Sequence, residues 1–573
     1  MASYSHYYQT ELAYYRQLAR EFARHYPEVA HMVAERGNDA AFERLVQGAA
    51  LLTSRLRFRI DDDFPEIVHA LFDKMWPQYL RPIPGATLLR MRGRDNALRQ
   101  SRLIAANTPV LAQPVEDADG AQVECGFITS SQVLLHPLDI ADVRLDRAHP
   151  ADLRLELRFE LTGGARMRNL EMSRLRLHLL GDEQERFLLY RWLTHDVSRV
   201  SVLDDAGELL FSLPRAAVVP VGLSADEPLC PGALTPLPGL NLLDEYFACI
   251  DKFLAFDVFR LERLSQAKGR GFTLAFHLGR VDESFVDLSL ANFATGCTPA
   301  INVSPLHQVS MRITPGTTTV HVDAGEVAGA RRRDVPIFAV ERVGAYHTEA
   351  RWIEYQRFVS HAARRLDETR PCFELDRRAD RVEGVQTYLR LTDVDGRPFA
   401  PPTDLLHAWV RHSDGEVAAR VPIGSVDVPS SESPEYLTFE NVTPVAAADT
   451  TRIGSERHWQ LISQFAIHPR DLASASGLTE LVSFARAGRA GRAHPDVVDV
   501  VSRPAMRLHR RMMVEVRDID ITLEGRNLEG GERLLFARIL NQLFARPVGS
   551  RVFSRVTARF TDGAQQPLRF EPH

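Results

Sequence analysis

The sequence predicts an α+β, multidomain chain: a helical N-terminal region, then β-rich modules, then an α/β C-terminal part. Three observations carry that prediction. Apolar residues recur every three or four positions through the first part of the chain. From about residue 86 they alternate with polar ones instead. Near the C-terminus the two patterns take turns. The chain has 573 residues, which at about 150 per domain suggests roughly four domains. The expected divisions are residues 1–85, helical; 86–335, β-rich with inserted helices; 336–430, a β-sandwich-like module; and 431–573, α+β.

Tyr8, Leu12, Tyr15, Leu18 and Phe22 form one stripe of an amphipathic helix that Pro27 ends or kinks. Asp39 suits an N-cap for a second helix, with the stripe Phe42, Leu45, Ala49, Leu52, Leu56 and Ile60. Phe64-Pro65-Glu66 restarts helical geometry, and Tyr79 to Gly85 reads as a stiff exit. Leu153 to Leu161 and Leu175 to Leu179 alternate as half-buried strands. A helix spans Asp182 to Leu193, and the Pro- and Gly-dense stretch 214–241 is a connection or rim loop. Leu242 to Phe247 reads as a short helix or strand, Gly271 to Leu278 as a strand, and Ala291 to Val303 as turn-rich and irregular. Val385 to Leu391 and Leu405 to Arg411 are strands, with a turn at Asp395-Gly396. Residues 426–450 read as a linker. After Trp459 to Phe465 come a helix near 477–486 and a strand from Val514 to Leu523 bulged near Asp518. A helix bearing Leu534, Leu535, Ile539, Leu543 and Phe544, and a strand from Val552 to Phe560, complete the chain.

Composition excludes several classes. Hydrophobic residues are 45% and charged residues 25%, so there is enough apolar surface to offset ordering entropy, and disorder does not dominate. A net charge of -6 is a weak field and argues against a nucleic-acid partner. Only Lys74, Lys252 and Lys268 are lysines; every other cation is Arg. Genomic base composition can produce that bias. Functionally, guanidinium makes the planar, bidentate carboxylate contacts that an ammonium cannot. The five cysteines are scattered without C-x-x-C, which fits a reducing compartment. No basic n-region with an apolar core opens the chain, and no apolar run is long enough to span a membrane. A cytoplasmic location is expected.

Sites of chemistry are scarce. Asp61-Asp62-Asp63 lacks metal-loop spacing, and three adjacent residues cannot face one ion. Arg331-Arg332-Arg333 is a short basic patch. His25, His69, His178 and His277 sit singly in periodic segments, where structural histidines are the rule. Lys268-Gly269-Arg270-Gly271 precedes a strand rather than a helix, so it lacks anion-binding geometry. There is no nucleophile elbow, Walker loop or dinucleotide fingerprint. No cofactor, metal site or catalytic residue is expected.

Larger blocks carry more. Glu11 to Ala23, His25-Tyr26-Pro27, Glu43 to Gly48, Ala50 to Leu56, Asp61 to Glu66 and Trp76 to Pro84 resemble, in order, the opening of the TssF family of type VI secretion baseplate proteins. Leu243 to Phe247, Lys252 to Asp257, Cys297 to Asn302, Trp459 to Ser463, Ser502 to Pro504 and Gly530 to Phe536 extend the resemblance along nearly the whole chain. It departs at Asn302 to Pro305 and at Pro547 to Phe553. The resemblance implies a structural, non-enzymatic wedge subunit of a contractile, phage tail-like machine. Two TssF-like chains would embrace one TssG, self-associating within the wedge, with TssK, TssE and the VgrG hub nearby. It implies a place at the inner face of the inner membrane, with membrane contact only through the membrane complex. Rigid aromatics and Arg dominate binding energy, so Tyr14, Tyr15, Phe22, Trp76, Tyr79 and Arg81 are the expected partner-binding residues. Two alternatives stay open: a cytoplasmic hydrolase with a site built from scattered residues, and a wedge protein of a phage-derived contractile device.

Overall fold

The computed structural model describes parts of residues 8–55, then 81–449 and 473–570, leaving out 95–96, 148–151, 232–237, 268, 280–287, 326–334, 348–350, 359–369, 381–383, 487–493, 510–511, 526–527, 529, 546–552 and 562–566. Phe22, Trp76, Tyr79, Asp61 to Asp63, Arg331 to Arg333 and Trp459 to Phe465 lie outside the described residues.

Both N-terminal segments are helical where described. Leu12 packs with Val46 and Ala50, and Tyr8 and Tyr15 lie against them. The second helix turns inward a face other than the leucine stripe: Val46, Ala50 and Ser54 are buried, whereas Leu51 and Leu52 are exposed. The small Ala50 side chain lets the helices approach closely, and a 2.8 Å hydrogen bond between the Tyr15 and Thr53 hydroxyls sets the rotation.

The next unit is a six-stranded antiparallel sheet in the order Val428–Pro429, Pro109–Leu111, Gly126–Thr129, Cys297–Ile301, Ala86–Gly93, Leu437–Asn441. Two expectations fail here. Ala291 to Val303 is not irregular: Cys297–Ile301 is an interior strand with every residue buried. Pro299 lacks an N–H and is rare in such a place. Its carbonyl accepts from the Ser130 N–H at 2.8 Å, so its backbone groups face the Gly126–Thr129 side, where that ladder has already ended at Thr129. Residues 426–450 are not a linker either. Leu437–Asn441 pairs with Ala86–Gly93 and buries Leu437 and Phe439. The Pro and Ser density belongs to turns such as Ser430 to Ser433.

A seven-stranded sheet draws on residues 307–412, including Ile337–His347, Cys372–Asp380, Gly384–Thr392 and Leu405–His412. It encloses its own core of Val309, Val343, Phe373, Leu389, Leu406 and Val410. The chain enters at Asn302 and leaves at Asp414, and those residues are tied together. The Asn302 amide donates to Asp414 Oδ2 at 2.7 Å and to the Gly126 carbonyl at 2.9 Å. Its Oδ1 accepts from the Ser413 hydroxyl at 2.9 Å and the Asp414 N–H at 2.7 Å. Every hydrogen-bonding atom of this fully buried amide is used.

One large apolar core joins the rest. It takes in a five-stranded sheet containing Leu153–Leu161 and Gly271–Gly279, a four-stranded sheet containing Arg174–Leu179, and the helices Glu183–Arg191, Pro238–Ala248, Ala475–Arg486 and Gly530–Leu543. Asp182 caps the first helix by accepting from the Gln184 N–H. In the C-terminal part, Met512–Glu524 and Phe553–Phe560 run parallel, with Gly530–Leu543 between them in sequence as the crossover a parallel pair requires. The register is regular through Asp518; the irregularity lies between Val497 and Asp499 on the partner strand. Asp518 instead holds Arg507 and Arg555. Gly531 lies so close to the helix Glu183–Arg191 that a Cβ there would sit 1.8 Å from the Phe187 carbonyl oxygen.

Replacing Asn302 with Ala leaves the buried Asp414 carboxylate short of a donor and is expected to cost about 3 kcal/mol, the range for breaking a buried, charge-bearing network. Denaturant unfolding measures it; a loss below about 1 kcal/mol would contradict the assignment. Gly531→Ala should destabilise comparably, because a backbone carbonyl cannot yield as a side chain would.

Candidate partner-binding surfaces

Three of the six expected contact residues are described. Tyr14 is 57% exposed and packs edge-on against Tyr15, ring centres 5.9 Å apart. Tyr15 faces the helix pair and holds Thr53. Arg81 lies away from them on sequence leading to the six-stranded sheet, its guanidinium 5.4 Å from the Phe338 ring. The structure therefore brings Tyr14 and Tyr15 together and places Arg81 at the junction with the seven-stranded sheet. Sequence reasoning missed the exposed apolar residues on the same helices: Leu18, Leu51 and Leu52, the last 66% exposed.

A second surface lies on the outer face of the seven-stranded sheet. Leu406, Ala408 and Val410 point into its core, so His407 and Trp409 point outward. Trp352 lies between Trp409 and Tyr346, with ring centres 5.6 and 5.0 Å away. Arg342 stacks over Trp409 and pairs with Glu354 at 3.0 Å. Gly344 makes the site possible, since a Cβ there would meet the Trp352 ring at 2.3 Å. Aromatics at solvent-facing positions of an alternating strand were the signal available in the sequence.

Several groups capable of chemistry among the described residues make structural contacts. Ser201, His277 and Asp152 have the connectivity of a nucleophile, base and orienting acid, at 2.9 and 3.0 Å. Ser201 and His277 are buried on adjacent strands, and neither of two cavities, of about 110 and 650 Å³, is lined by them. The arrangement matches the structural role expected of His277. The amides of Arg270 and Gly271 donate to the Asp205 carboxylate at 2.8 and 3.2 Å, so that glycine turn already holds its anion. A cavity of about 110 Å³ is lined by His136, Asp139, Arg174 and Cys297 among others. Burial pushes the Cys297 thiol up to about 12, which leaves it protonated and unreactive at neutral pH. His136 is pushed down to about 4 by burial, and its ring nitrogens meet the Ser101 hydroxyl at 2.8 Å and the Arg174 carbonyl at 3.2 Å. Among the described residues no group of three or more His, Cys, Asp or Glu could hold a metal ion, and no helix is long and apolar enough to cross a membrane.

Burial also pushes His178 down, to about 3, with the neighbouring Arg176 acting in the same direction. Both histidines fold neutral while their unfolded forms take up protons near pH 6.5. Their contribution is complete above about pH 6.5 and is lost as pH falls, towards about 4 for His136 and about 3 for His178. The His136 shift corresponds to roughly 3 kcal/mol. His136→Gln should flatten the fall in stability between pH 7 and 5 in denaturant titrations; an unchanged slope would contradict the assignment.

The chain is similar to proteins of one secretion system. The type VI secretion system component TssF1 of Pseudomonas aeruginosa is 26% identical over 523 residues, covering 83% of this chain and 82% of that one. Among solved structures, a chain of the type VI secretion TssK-TssF-TssG baseplate subcomplex, determined by cryo-electron microscopy, superposes with a TM-score of 0.73 at 19% identity. That match covers 92% of this chain and 98% of the other. A chain of the baseplate complex from the type VI secretion system gives 0.57 at 18% identity, with 97% of each covered. The family described as "Type VI secretion system, TssF" matches residues 1–573, and this chain therefore belongs to the TssF family.

Proposed function

We propose that this chain is a structural wedge subunit of a type VI secretion baseplate, and that it works by presenting surfaces rather than by covalent chemistry. Family membership across residues 1–573 carries this reading. It is favoured over a scattered-site hydrolase because Ser201 and His277 are buried and the cavity cysteine is held as a thiol. The partners are a TssG-type subunit, bound by two copies of this chain, and a TssK-type subunit, with a TssE-type subunit and the VgrG hub adjoining the wedge. Assembly takes place in the cytoplasm at the inner face of the inner membrane, without direct membrane contact, nucleic acid or cofactor.

We assign contact with a partner to Tyr14, Leu18, Leu51 and Leu52, which are exposed, and to Phe22, Trp76, Tyr79 and Arg81. Tyr15 contributes by fixing Tyr14.

Co-expression with TssG- and TssK-type subunits from the same operon tests the reading, and a stable complex is expected. Leu52→Asp should weaken it at least tenfold while the thermal midpoint of the isolated chain stays unchanged, since Leu52 is exposed. A monodisperse chain indifferent to both subunits would overturn the proposal, as would turnover of a small molecule abolished by Ser201→Ala.

A further inference from the structure

The six-stranded sheet ends in opposite charges. Residues 81–102 carry six arginines and one carboxylate, Asp95, whereas residues 103–143 carry six carboxylates and no Lys or Arg. Strand direction sends the two groups apart. Ala86–Gly93, Cys297–Ile301, Gly126–Thr129 and Pro109–Leu111 pair antiparallel in that order. Ala86–Gly93 and Pro109–Leu111 therefore run in opposite directions, and the chain leaving Gly93 emerges at one end of the sheet while the chain leaving Leu111 emerges at the other. A strand the length of Ala86–Gly93, at about 3.3 Å per residue, sets the two ends roughly 25 Å apart.

At the first end Arg92, Arg94, Arg99 and Arg102 are exposed. Arg92 reaches Glu440 only at 3.9 Å, a carboxylate it shares with Arg90, and Arg94, Arg99 and Arg102 make no ion pair among the described residues. The Arg94 N–H donates to the Tyr436 carbonyl at 2.8 Å, which sets the exposed Tyr436 beside it, and Glu432 and Glu435 precede Tyr436 as exposed carboxylates of the same end. At the second end Glu116, Asp119, Glu124 and Asp427 are exposed, and none pairs with a Lys or Arg side chain among the described residues. Val115–Glu116 and Gln122–Val123 form a hairpin whose turn is fixed by Asp117, which accepts from the Asp119 and Ala121 N–H groups. Gln113 ties Asp427 to it at 2.8 Å. Arg420 lies among these carboxylates and donates to the Glu116 backbone carbonyl at 3.2 Å; Ile423, close by in the chain, is 58% exposed.

We propose that copies of this chain dock head to tail, the arginine end of one six-stranded sheet on the carboxylate end of the next. Within one molecule the two ends are held apart by the length of the strands between them, so neither can neutralise the other. Guanidinium meets carboxylate in planar, bidentate geometry, and Tyr436 and Ile423 add apolar area at the two surfaces. An unrelated acidic protein would satisfy the arginines but leave the carboxylate end open; a second copy answers both ends with one contact, which is why it is favoured. The contact joins two different surfaces, so it repeats, and copies add until a ring closes. It goes beyond the wedge reading and does not depend on it.

Sedimentation velocity of the full-length chain tests this. The unmodified chain should associate beyond a dimer as its concentration rises at low ionic strength, and the association should weaken at least tenfold in about 0.5 M salt. One variant combines Arg94→Glu with Arg99→Glu, and a second combines Glu116→Arg with Asp119→Arg. Each alone should associate at least tenfold more weakly with an unmoved thermal midpoint, because all four side chains are exposed. Mixing the two variants should restore association, since each then carries the charge that the other's reversed end needs. An unmodified chain that stays monomeric at every concentration overturns the proposal, as does association that survives both reversals, or a mixture that stays as weak as its components. Binding to the TssG-type subunit is read separately by co-expression, so the wedge reading stands or falls on its own.

Discussion

The C-terminal part of the molecule shares one core with the middle, and a residue without a side chain sets the closest approach between them. At Gly531 the helix Gly530–Leu543 touches the backbone of Glu183–Arg191, at a distance no Cβ could tolerate. That approach lets Glu532 accept from the buried Tyr246 hydroxyl at 2.9 Å. It also lets Arg538 reach the Tyr190 hydroxyl, the Thr194 hydroxyl and the Thr194 carbonyl at 2.8, 2.7 and 2.9 Å. Phe536 then stacks edge-on against Tyr246.

A second junction works by polar satisfaction rather than close approach. The seven-stranded sheet is reached through Asn302 and left through Asp414, and the Asn302 amide binds both ends to the Gly126 backbone. A lone buried amide would be expensive, but here each donor and acceptor is used. Both junctions fall in blocks that carry the family resemblance: Gly530 to Phe536 meets Leu243 to Phe247, and Cys297 to Asn302 forms the other. Those blocks hold units of the chain at fixed angles, as befits a part that must present several faces at once.

The polar chemistry of the chain serves the same end. Arg176 with Asp257 and Glu227, Asp518 with Arg507 and Arg555, and the buried pair of Lys252 and Glu245 link strands and loops. Glu245 also accepts from the Leu229 N–H at 2.7 Å, pinning the proline-rich connection before it. Guanidinium suits these roles because one group can satisfy several oxygens in one plane.

Local pattern sufficed for much of the secondary structure. The alternation of Leu153 to Leu161, the capped helix after Asp182 and the C-terminal helix between two strands were legible because their periods are set by backbone geometry within a few residues. Blocks of residues likewise pointed to the family. Tertiary structure alone decided the rest. Residues 426–450 and 291–303 look like turns and linker, yet they form strands because Ala86–Gly93 offers both of its edges, one of them to a residue 355 positions away. The second N-terminal helix buries Val46 and Ala50 rather than its leucines because the first helix, not the helix's own pattern, chooses the face.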